Sequence, residues 1–218
     1  PSMKWIKTNL SIGGKSLIVI IMTLILSFVT VYYIGEKNIF ILLLFIGFFF
    51  LLLKSLDQLR KKTKNFAQIF SHIGFSLLLI SILLNSFLSN ETIKNIQVGE
   101  SFILKNEKIL FKKISIEKGK NYESIIGFFE ILDEENKIIN LRPEIRIYKE
   151  PEMATSEASI KTSLFKDRFI TINIIKDQNF FNVRYQHKPF MIWIWISTLI
   201  IMLGGLLAIF KKNKQFNN

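Results

Sequence analysis

Two kinds of hydrophobic pattern divide the chain. Continuous apolar runs predict transmembrane helices over residues 16–35, 38–54, 66–88 and 189–211. A helix that crosses a bilayer needs about 20 predominantly apolar residues. The second run is short by this measure, but the aliphatic stem of Lys54 can extend it by reaching the interface. The alternative, buried helices of a water-soluble protein, is disfavoured because the fourth run is long and is followed by a basic tail, residues 212–218.

Residues 90–188 alternate apolar and polar positions instead, which is typical of half-buried β-strands. The segments KILFKKISIEKG and RFITINIIKD show this period most clearly, and EIRIY predicts a strand after Pro143. ESIIGFFEILDEENKIINL predicts a hairpin that turns at residues 133–136, and KEPEMATSEASIK predicts an exposed loop. We therefore expect a compact all-β domain, a sandwich or a partial barrel.

Charge predicts the orientation of the helices. Of 29 Lys and Arg and 17 Asp and Glu residues, 17 and 15 lie in residues 90–188, so most of the net charge of +12 lies outside that segment. The basic segments are the start of the chain, the connector after the second span (KSLDQLRKKTK) and the tail, and four spans place all three on one side. By the positive-inside rule this side is the cytoplasm or a mitochondrial matrix. The predicted fold class is a membrane α-helical protein with an inserted all-β extracytoplasmic domain, with three transmembrane helices in residues 1–89 before the domain and one after it.

The same charge distribution excludes some function classes. The basic excess follows membrane topology, so membrane lipid is the expected partner of the basic connector and no nucleic acid is expected. With no Cys the chain has no disulfide and no thiolate metal site. No nucleophile–base arrangement is visible, and Glu144, Glu150, Glu152 and Glu157 do not form a recognisable acid/base pair. We therefore assign no catalytic residue.

His72 is the candidate site residue, because it lies in the third apolar run. An ionisable side chain at this depth usually faces the interior of a helix bundle and marks a function. Three interpretations stay open from the residues alone: a neutral imidazole hydrogen-bonded to another helix, a haem ligand, or a proton relay. The other histidine, His187, lies in the predicted outer domain and is on the wrong side of the membrane to act with His72. We interpret it as an interfacial residue beside Tyr185 and Lys188.

The third run has two distinct faces on a helical wheel. The first face carries Ser71, Gly74, Ser81 and Asn85, and the opposite face carries His72, Ser76, Leu79 and Leu83. Small residues allow a neighbouring helix to approach closely, so this span is expected to have partners on two sides. The LGG sequence at residues 203–205 predicts a second such packing surface. In the outer domain Asp167 and Arg168 are expected to form a local ion pair of little energetic value if exposed.

Several stretches resemble, in the same order, a known family. PSMKW is similar to a basic Trp-containing segment, SHIGFSLLLISI to an A-H-x-G transmembrane helix, and LRPEIRIYKEPEMATSEASIKTSLFKDRFITI to an L-x-P-E-x-R-x-Y segment that continues into T-E-A-x-I. VRYQHKPFMIWIWISTLIIMLGGLLAIF is similar to a terminal Y-x-K-P-F-x-x-W-I-W span. The set resembles the C-terminal third of CcmF, the membrane haem lyase family of cytochrome c maturation. Lys166-Asp167-Arg168 and Phe169 depart from the family's R-D-x-Y pattern, and His187 stands where the family is tyrosine-rich.

The resemblance implies an activity and a cofactor. Members attach haem covalently to apocytochrome c, and a separate b-type haem lies between two transmembrane histidines and takes electrons from quinol. The resemblance identifies His72 as one of these two ligands, hence as a haem-iron ligand, and the second axial ligand lies outside this sequence. It further implies a haem chaperone and apocytochrome-handling subunits as partners, and a bacterial inner membrane with the β domain in the periplasm, or a mitochondrial inner membrane. Trp193 and Trp195 fit an interfacial aromatic belt instead of the family's tryptophan-rich haem segment.

Two functions are therefore expected, and they differ in class. The first is the C-terminal part of a haem lyase, inactive by itself. The alternative is a non-catalytic, membrane-anchored scaffold subunit that docks partner proteins, with His72 only packed. Pro1 at the start of the sequence favours a piece of a longer protein over a naturally separate subunit.

Overall fold

The computed structural model describes residues 14–61, 65–133, 137–175 and 179–216. The chain divides into two units, a helical one formed by residues 1–87 and 193–218 and a β unit formed by residues 88–192. The predicted fold class is confirmed, because three helices precede and one helix follows a domain of two β-sheets.

The helical unit contains four helices. They are α1 (Gly14–Ile34), α2 (Ile39–Arg60), α3 (Phe66–Leu88) and α4 (Met191–Phe216). Each has a segment long and apolar enough to cross a membrane. Within the chain, 33% of the apolar window of α3 is buried, compared with 11–17% in the other three helices. This difference agrees with the two packing faces that the sequence predicts for α3.

Helix α2 is longer than the run of residues 38–54 that predicted it. The side chain of Asn38 caps its start by accepting a hydrogen bond from the backbone N–H of Phe40 at 2.9 Å. The helix continues beyond Lys54 to Arg60, so its last turns lie in the segment expected to be a connector. Lys54 Nζ donates to Ser16 Oγ at 3.3 Å, which joins the last part of α2 to the start of α1. The two helices are therefore antiparallel neighbours.

Helices α3 and α4 approach closely through glycines. A Cβ atom at Gly74 would lie 2.8 Å from the backbone N of Ile201 and 2.9 Å from the backbone O of Ser197. A Cβ atom at Gly204 would overlap Ser71 Oγ and lie 2.7 Å from the backbone N of Ser71. Both predicted small-residue surfaces are thus confirmed, and only glycine fits at these two contacts.

The β unit is a sandwich of antiparallel sheets. Its strands are β1 (Asn90–Ile96), β2 (Ser101–Leu104), β3 (Glu107–Lys118), β4 (Tyr122–Leu132), β5 (Ile138–Leu141), β6 (Glu144–Lys149), β7 (Glu152–Glu157), β8 (Ser159–Lys161), β9 (Lys166–Ile174) and β10 (Phe181–Pro189). The first sheet has the order β1-β10-β9-β8 and the second has the order β2-β3-β4-β6-β7, with β5 also paired to β4. The hairpin predicted around residues 133–136 is the β4–β5 pair, although residues 134–136 lie outside the described ones.

The core lies between the inward faces of these sheets. Ile109, Phe111, Phe129 and Ile131 come from the second sheet, and Ile170, Ile172, Val183 and Tyr185 come from the first. The rings of Phe111 and Phe129 stack with centroids 4.3 Å apart. Because each fully buried side chain of this size contributes about 1.5–3 kcal/mol, the alternating pattern fixes which face of each strand turns inward.

One segment differs from its prediction. KEPEMATSEASIK was expected to be an exposed loop, but it contributes strands β7 and β8. Ser156 Oγ donates to the carbonyl oxygen of Ile172 at 2.8 Å, so a strand of one sheet is bonded to a strand of the other. The prediction was wrong because the segment is polar and poor in β-formers, and these strands form through pairing with distant partners.

Gly74 and Gly205 form a matched pair for testing the helix contact. We expect Gly74→Ala to lower the free energy of unfolding by about 1–3 kcal/mol, because the added methyl group overlaps backbone atoms of α4. A Cβ atom at Gly205 meets nothing within 4 Å, so Gly205→Ala should be neutral or slightly stabilising. Thermal unfolding of the chain in detergent measures both variants. Equal effects of the two substitutions would contradict the close α3–α4 contact.

Candidate functional site

The His72 imidazole lies at the margin of the buried face of α3. Four residues at helical spacing form that face, namely Ile69, Ile73, Ser76 and Ile80, and each has 8% or less of its surface exposed. His72 is half-buried within the chain and lies to one side of this line. Its other flank is therefore the part of the helix surface that a group or helix from outside the chain can reach.

The hydrogen bonds around His72 use its backbone and not its ring. Ser76 Oγ donates to the carbonyl oxygen of His72 at 2.8 Å and lies 3.0 Å from that of Ile73. Within the part of the chain that the structure describes, the ring nitrogens have no hydrogen-bond partner. A neutral imidazole bonded to another helix of this chain, the first of the three open interpretations, is therefore not found.

The neighbours of His72 on its side of α3 are mostly apolar. The same side of α3 carries the buried Ser76 and the half-buried, apolar Leu79 and Leu83. Among the described residues, no group of three or more His, Cys, Asp or Glu side chains could hold a metal ion. His72 is the one histidine of the helical unit, and it stays the candidate haem ligand that the sequence predicts.

A second polar site, buried in the β unit, was not predicted. Arg168 is 3% exposed, and its guanidinium donates to Glu107 at 2.6 and 3.0 Å and to Asp133 at 2.6 Å. Tyr185 Oη donates to the second carboxylate oxygen of Glu107 at 2.6 Å. Since Glu107 and Asp133 belong to the second sheet and its hairpin and Arg168 and Tyr185 to the first, the cluster joins the two sheets.

The acidic partners in this cluster affect the pKa values of Arg168 and Tyr185. Burial acts against the charged guanidinium, but Glu107 and Asp133 keep the pKa of Arg168 above its usual value. Burial and the hydrogen bond to Glu107 raise the pKa of the Tyr185 phenol, so it stays a neutral donor. A buried charge set of this kind tolerates the low dielectric only while its partners are all present.

His187 lies beside this cluster, because it is the register partner of Arg168 on the neighbouring strand. Its Nδ1 atom is buried and has no hydrogen-bond partner among the described residues. Burial is the largest cause that lowers the pKa of His187, and the cations Lys105, Arg168 and Lys166 add to it, whereas Glu107 acts in the opposite direction. Its predicted place at a membrane interface stays a prediction.

The local ion pair expected between Asp167 and Arg168 is not found among the described residues. Asp167 is 5% exposed and its Oδ1 accepts from the backbone N–H of Ser163 at 3.2 Å, while Arg168 pairs with residues far along the chain. The alternation of inward-facing and outward-facing positions along the strands could have indicated this buried cluster. Glu107 continues the inward-facing series of Ile109 and Phe111, and an acidic and a basic residue on core faces require partners.

The β unit matches a known family. The family described as "CcmF C-terminal beta-sandwich" matches residues 87–189, which covers all ten strands. A protein of Haemophilus influenzae named "Cytochrome c-type biogenesis protein CcmF" is 29% identical over 147 residues, 67% of this chain and 23% of that protein. Residues 87–189 belong to the CcmF C-terminal β-sandwich family. A CcmF protein of Pseudomonas aeruginosa is also 29% identical, over 138 residues that cover 63% of this chain and 21% of the relative.

Most of the chain also shares its fold with a solved CcmF structure. The chain named "Cytochrome c Heme Lyase CcmF" superposes with a TM-score of 0.74 at 13% sequence identity, covering 94% of this chain and 36% of that one. At this identity the likeness shows the fold alone. The chain spans less than a quarter of the length of the two curated CcmF relatives, and it corresponds to their C-terminal architecture.

Arg168 and Arg184 provide a matched test of the buried cluster. Arg168→Leu leaves two carboxylates without their buried counter-charge, so we expect the free energy of unfolding to fall by about 3–5 kcal/mol. Arg184 pairs with Glu91 at 2.7 Å on the neighbouring strand, but both side chains are more than two-fifths exposed. Arg184→Leu should therefore lower the stability far less, because exposed ion pairs contribute little. Comparable losses in thermal unfolding experiments would show that the buried cluster is not a special contact.

The stability of the β unit should depend on pH through His187. Its folded pKa lies below the ordinary value of about 6.5, so on acidification the unfolded chain binds the proton first. The contribution of a neutral His187 is fully present above about pH 6.5 and is lost as the pH falls through that value towards the folded pKa. Between about pH 7 and 5 we expect wild type to lose more stability than His187→Gln in the same detergent. Parallel curves for the two proteins would contradict the buried neutral imidazole.

Proposed function

We propose that this chain acts in cytochrome c maturation as the C-terminal part of a membrane haem lyase, which attaches haem covalently to apocytochrome c. The supporting observations are the match of its β unit to the CcmF sandwich and the names of its relatives, one of which is a cytochrome c heme lyase. The observation that carries the proposal at the level of residues is the free His72 imidazole in a membrane-length helix. Because the chain covers only part of its relatives, the activity is that of the whole protein or assembly.

In this proposal His72 would hold a b-type haem through a ring nitrogen, together with a histidine outside this sequence. Ser76 supports the arrangement because its hydroxyl is bonded to the backbone and leaves the ring unengaged. The buried line of Ile69, Ile73 and Ile80 holds α3 in its own unit, so the imidazole is carried by a helix fixed on one side. When bound, a b-type haem supplies reversible one-electron chemistry, with quinol as the expected donor.

The attachment reaction needs thiols, and they belong to the substrate. The chain has no Cys, so the sulfur atoms of the thioethers come from apocytochrome c. The contribution of this part of the lyase is then to position cofactor and substrate against each other instead of attacking a bond itself. The proposed partners are a haem chaperone, apocytochrome-handling subunits and membrane lipid.

The proposed location is a bacterial inner membrane, with the β domain in the periplasm. Four membrane-length helices and bacterial relatives support it, together with the basic segments on one side of the four spans. In an organelle the same topology would place the domain in the intermembrane space.

Replacing His72 tests the haem ligand directly. In the full protein or assembly, His72→Ala should abolish the low-spin b-type optical spectrum, because iron loses one of its two imidazoles. Haem attachment to a reporter apocytochrome should fall in parallel. The optical spectrum and the haem attachment are both measured on purified membranes that contain equal amounts of the protein.

Two variants separate loss of a ligand from loss of folding. Ser76→Ala changes the same face of α3 without removing a ring nitrogen, and His187→Gln removes the only other histidine. Both should keep the b-type spectrum. A low-spin spectrum retained by His72→Ala rejects the assignment, and purified assembly that carries no b-type haem favours the non-catalytic scaffold.

A further inference from the structure

A shallow cavity lies on the outer face of the second sheet, away from the core. It has a volume of about 270 Å³, and its lining includes Lys113, Phe128, Asn140 and Arg142. Phe128 and Phe129 are consecutive on β4, so Phe129 turns into the core and Phe128 turns outward. The half-buried Phe128 ring forms the apolar centre of this surface.

A β-bulge aims one of the cations at this ring. The register of β3 against β4 shifts between Phe111 and Lys113, which leaves Lys112 as the extra residue. Lys112 pairs with Glu130 at 2.5 Å. Lys113 is thereby placed opposite Phe128, with its ammonium 4.9 Å from the ring centroid.

A second cation reaches the same ring from the link between β5 and β6. The guanidinium carbon of Arg142 lies 5.0 Å from the centroid of Phe128. The backbone at this point is held, because the Arg142 N–H donates to Ser159 Oγ at 2.9 Å and the carbonyl oxygen of Pro143 accepts from the Gly127 N–H at 2.9 Å. The two cations thus converge on one aromatic side chain from a backbone that is already ordered.

Among the described residues, the charge of this surface is not balanced. The Lys112–Glu130 pair is neutral, whereas Lys113 and Arg142 have no acidic partner among the residues that the structure describes. Two neighbouring cations repel each other, and the Phe128 ring offsets only part of this cost. A carboxylate placed between them would relieve the repulsion and accept hydrogen bonds from the guanidinium and from the Asn140 amide.

Size and composition decide what kind of carboxylate fits. Pockets that enclose a cofactor or a drug-sized ligand have volumes of about 300–1,000 Å³, so this cavity accommodates a side chain better than a cofactor. An aromatic ring and an arginine are the residue types that carry most of the binding energy at protein interfaces. Binding to anionic lipid usually relies on clusters of about 4–8 Lys or Arg, more than the two unbalanced cations here.

We propose that the surface formed by Lys113, Phe128, Asn140 and Arg142 docks an acidic segment of a partner protein, with a Glu or Asp carboxylate between the two cations. The surface lies on the β unit and does not involve His72. The docking proposal is therefore independent of the haem-ligand proposal, and different measurements test the two proposals.

The test uses the whole chain in detergent and a fluorescein-labelled peptide of alternating Glu and Gly. Fluorescence anisotropy should show binding at low salt that weakens as salt is added, because exposed charges are screened. We expect Lys113→Gln/Arg142→Gln to weaken binding by at least about tenfold. Phe128→Leu keeps every charge and removes the ring, and it should weaken binding by about threefold through lost packing and cation–π contact.

A charge-matched variant provides the control. Lys118 and Lys120 are exposed on the same unit, and Lys118→Gln/Lys120→Gln removes the same charge, so it should change the affinity by less than about twofold. The matched peptide with Gln in place of Glu should not bind. Equal loss in both double variants, unchanged binding by Lys113→Gln/Arg142→Gln, or equal binding of the Gln peptide would overturn the proposal. The proposal would also be overturned if the wild-type chain does not bind the Glu peptide but binds phosphatidylglycerol vesicles.

Discussion

Hydrocarbon offers no hydrogen-bond partners, and this constraint shapes the helical part of the protein. Backbone groups have to be satisfied within each segment, so the apolar runs form four uninterrupted helices. The hydrophobic effect does not drive helices together in lipid, which leaves close packing to do so. Gly74 and Gly204 provide it by bringing the backbones of α3 and α4 together. The cost of a polar group in the same environment is what makes the unengaged His72 ring significant.

The constraint on the β unit differs, because water can form hydrogen bonds with the polar groups on its outward face. Its core is apolar except for one buried cluster, in which Arg168 joins Glu107 and Asp133 across the two sheets. Ionic groups in such a place add little net stability compared with apolar residues, but they penalise any arrangement in which a partner is missing. The cluster therefore favours one pairing of the two sheets over others. His187 and Tyr185 complete its surroundings and stay neutral there.

The two proposed sites lie on these two kinds of structure. The proposed haem ligand, His72, lies on α3 of the helical unit, and the proposed docking surface of the β unit has two cations around Phe128. In both proposals a group from another segment or another protein completes the site. The chain spans less than a quarter of the length of the two curated relatives.

The sequence by itself determined the two classes of structure, the number of spans and the candidate imidazole. Apolar run length and period-two alternation act locally, and they can be read without knowing which segments meet. The small-residue faces around Gly74 and Gly204 could be predicted for the same reason. The tertiary structure alone decided that β7 and β8 are strands, that Arg168 is buried among carboxylates, and that a bulge turns Lys113 towards Phe128. These features depend on contacts between residues far apart in the chain, whose energies no local pattern contains.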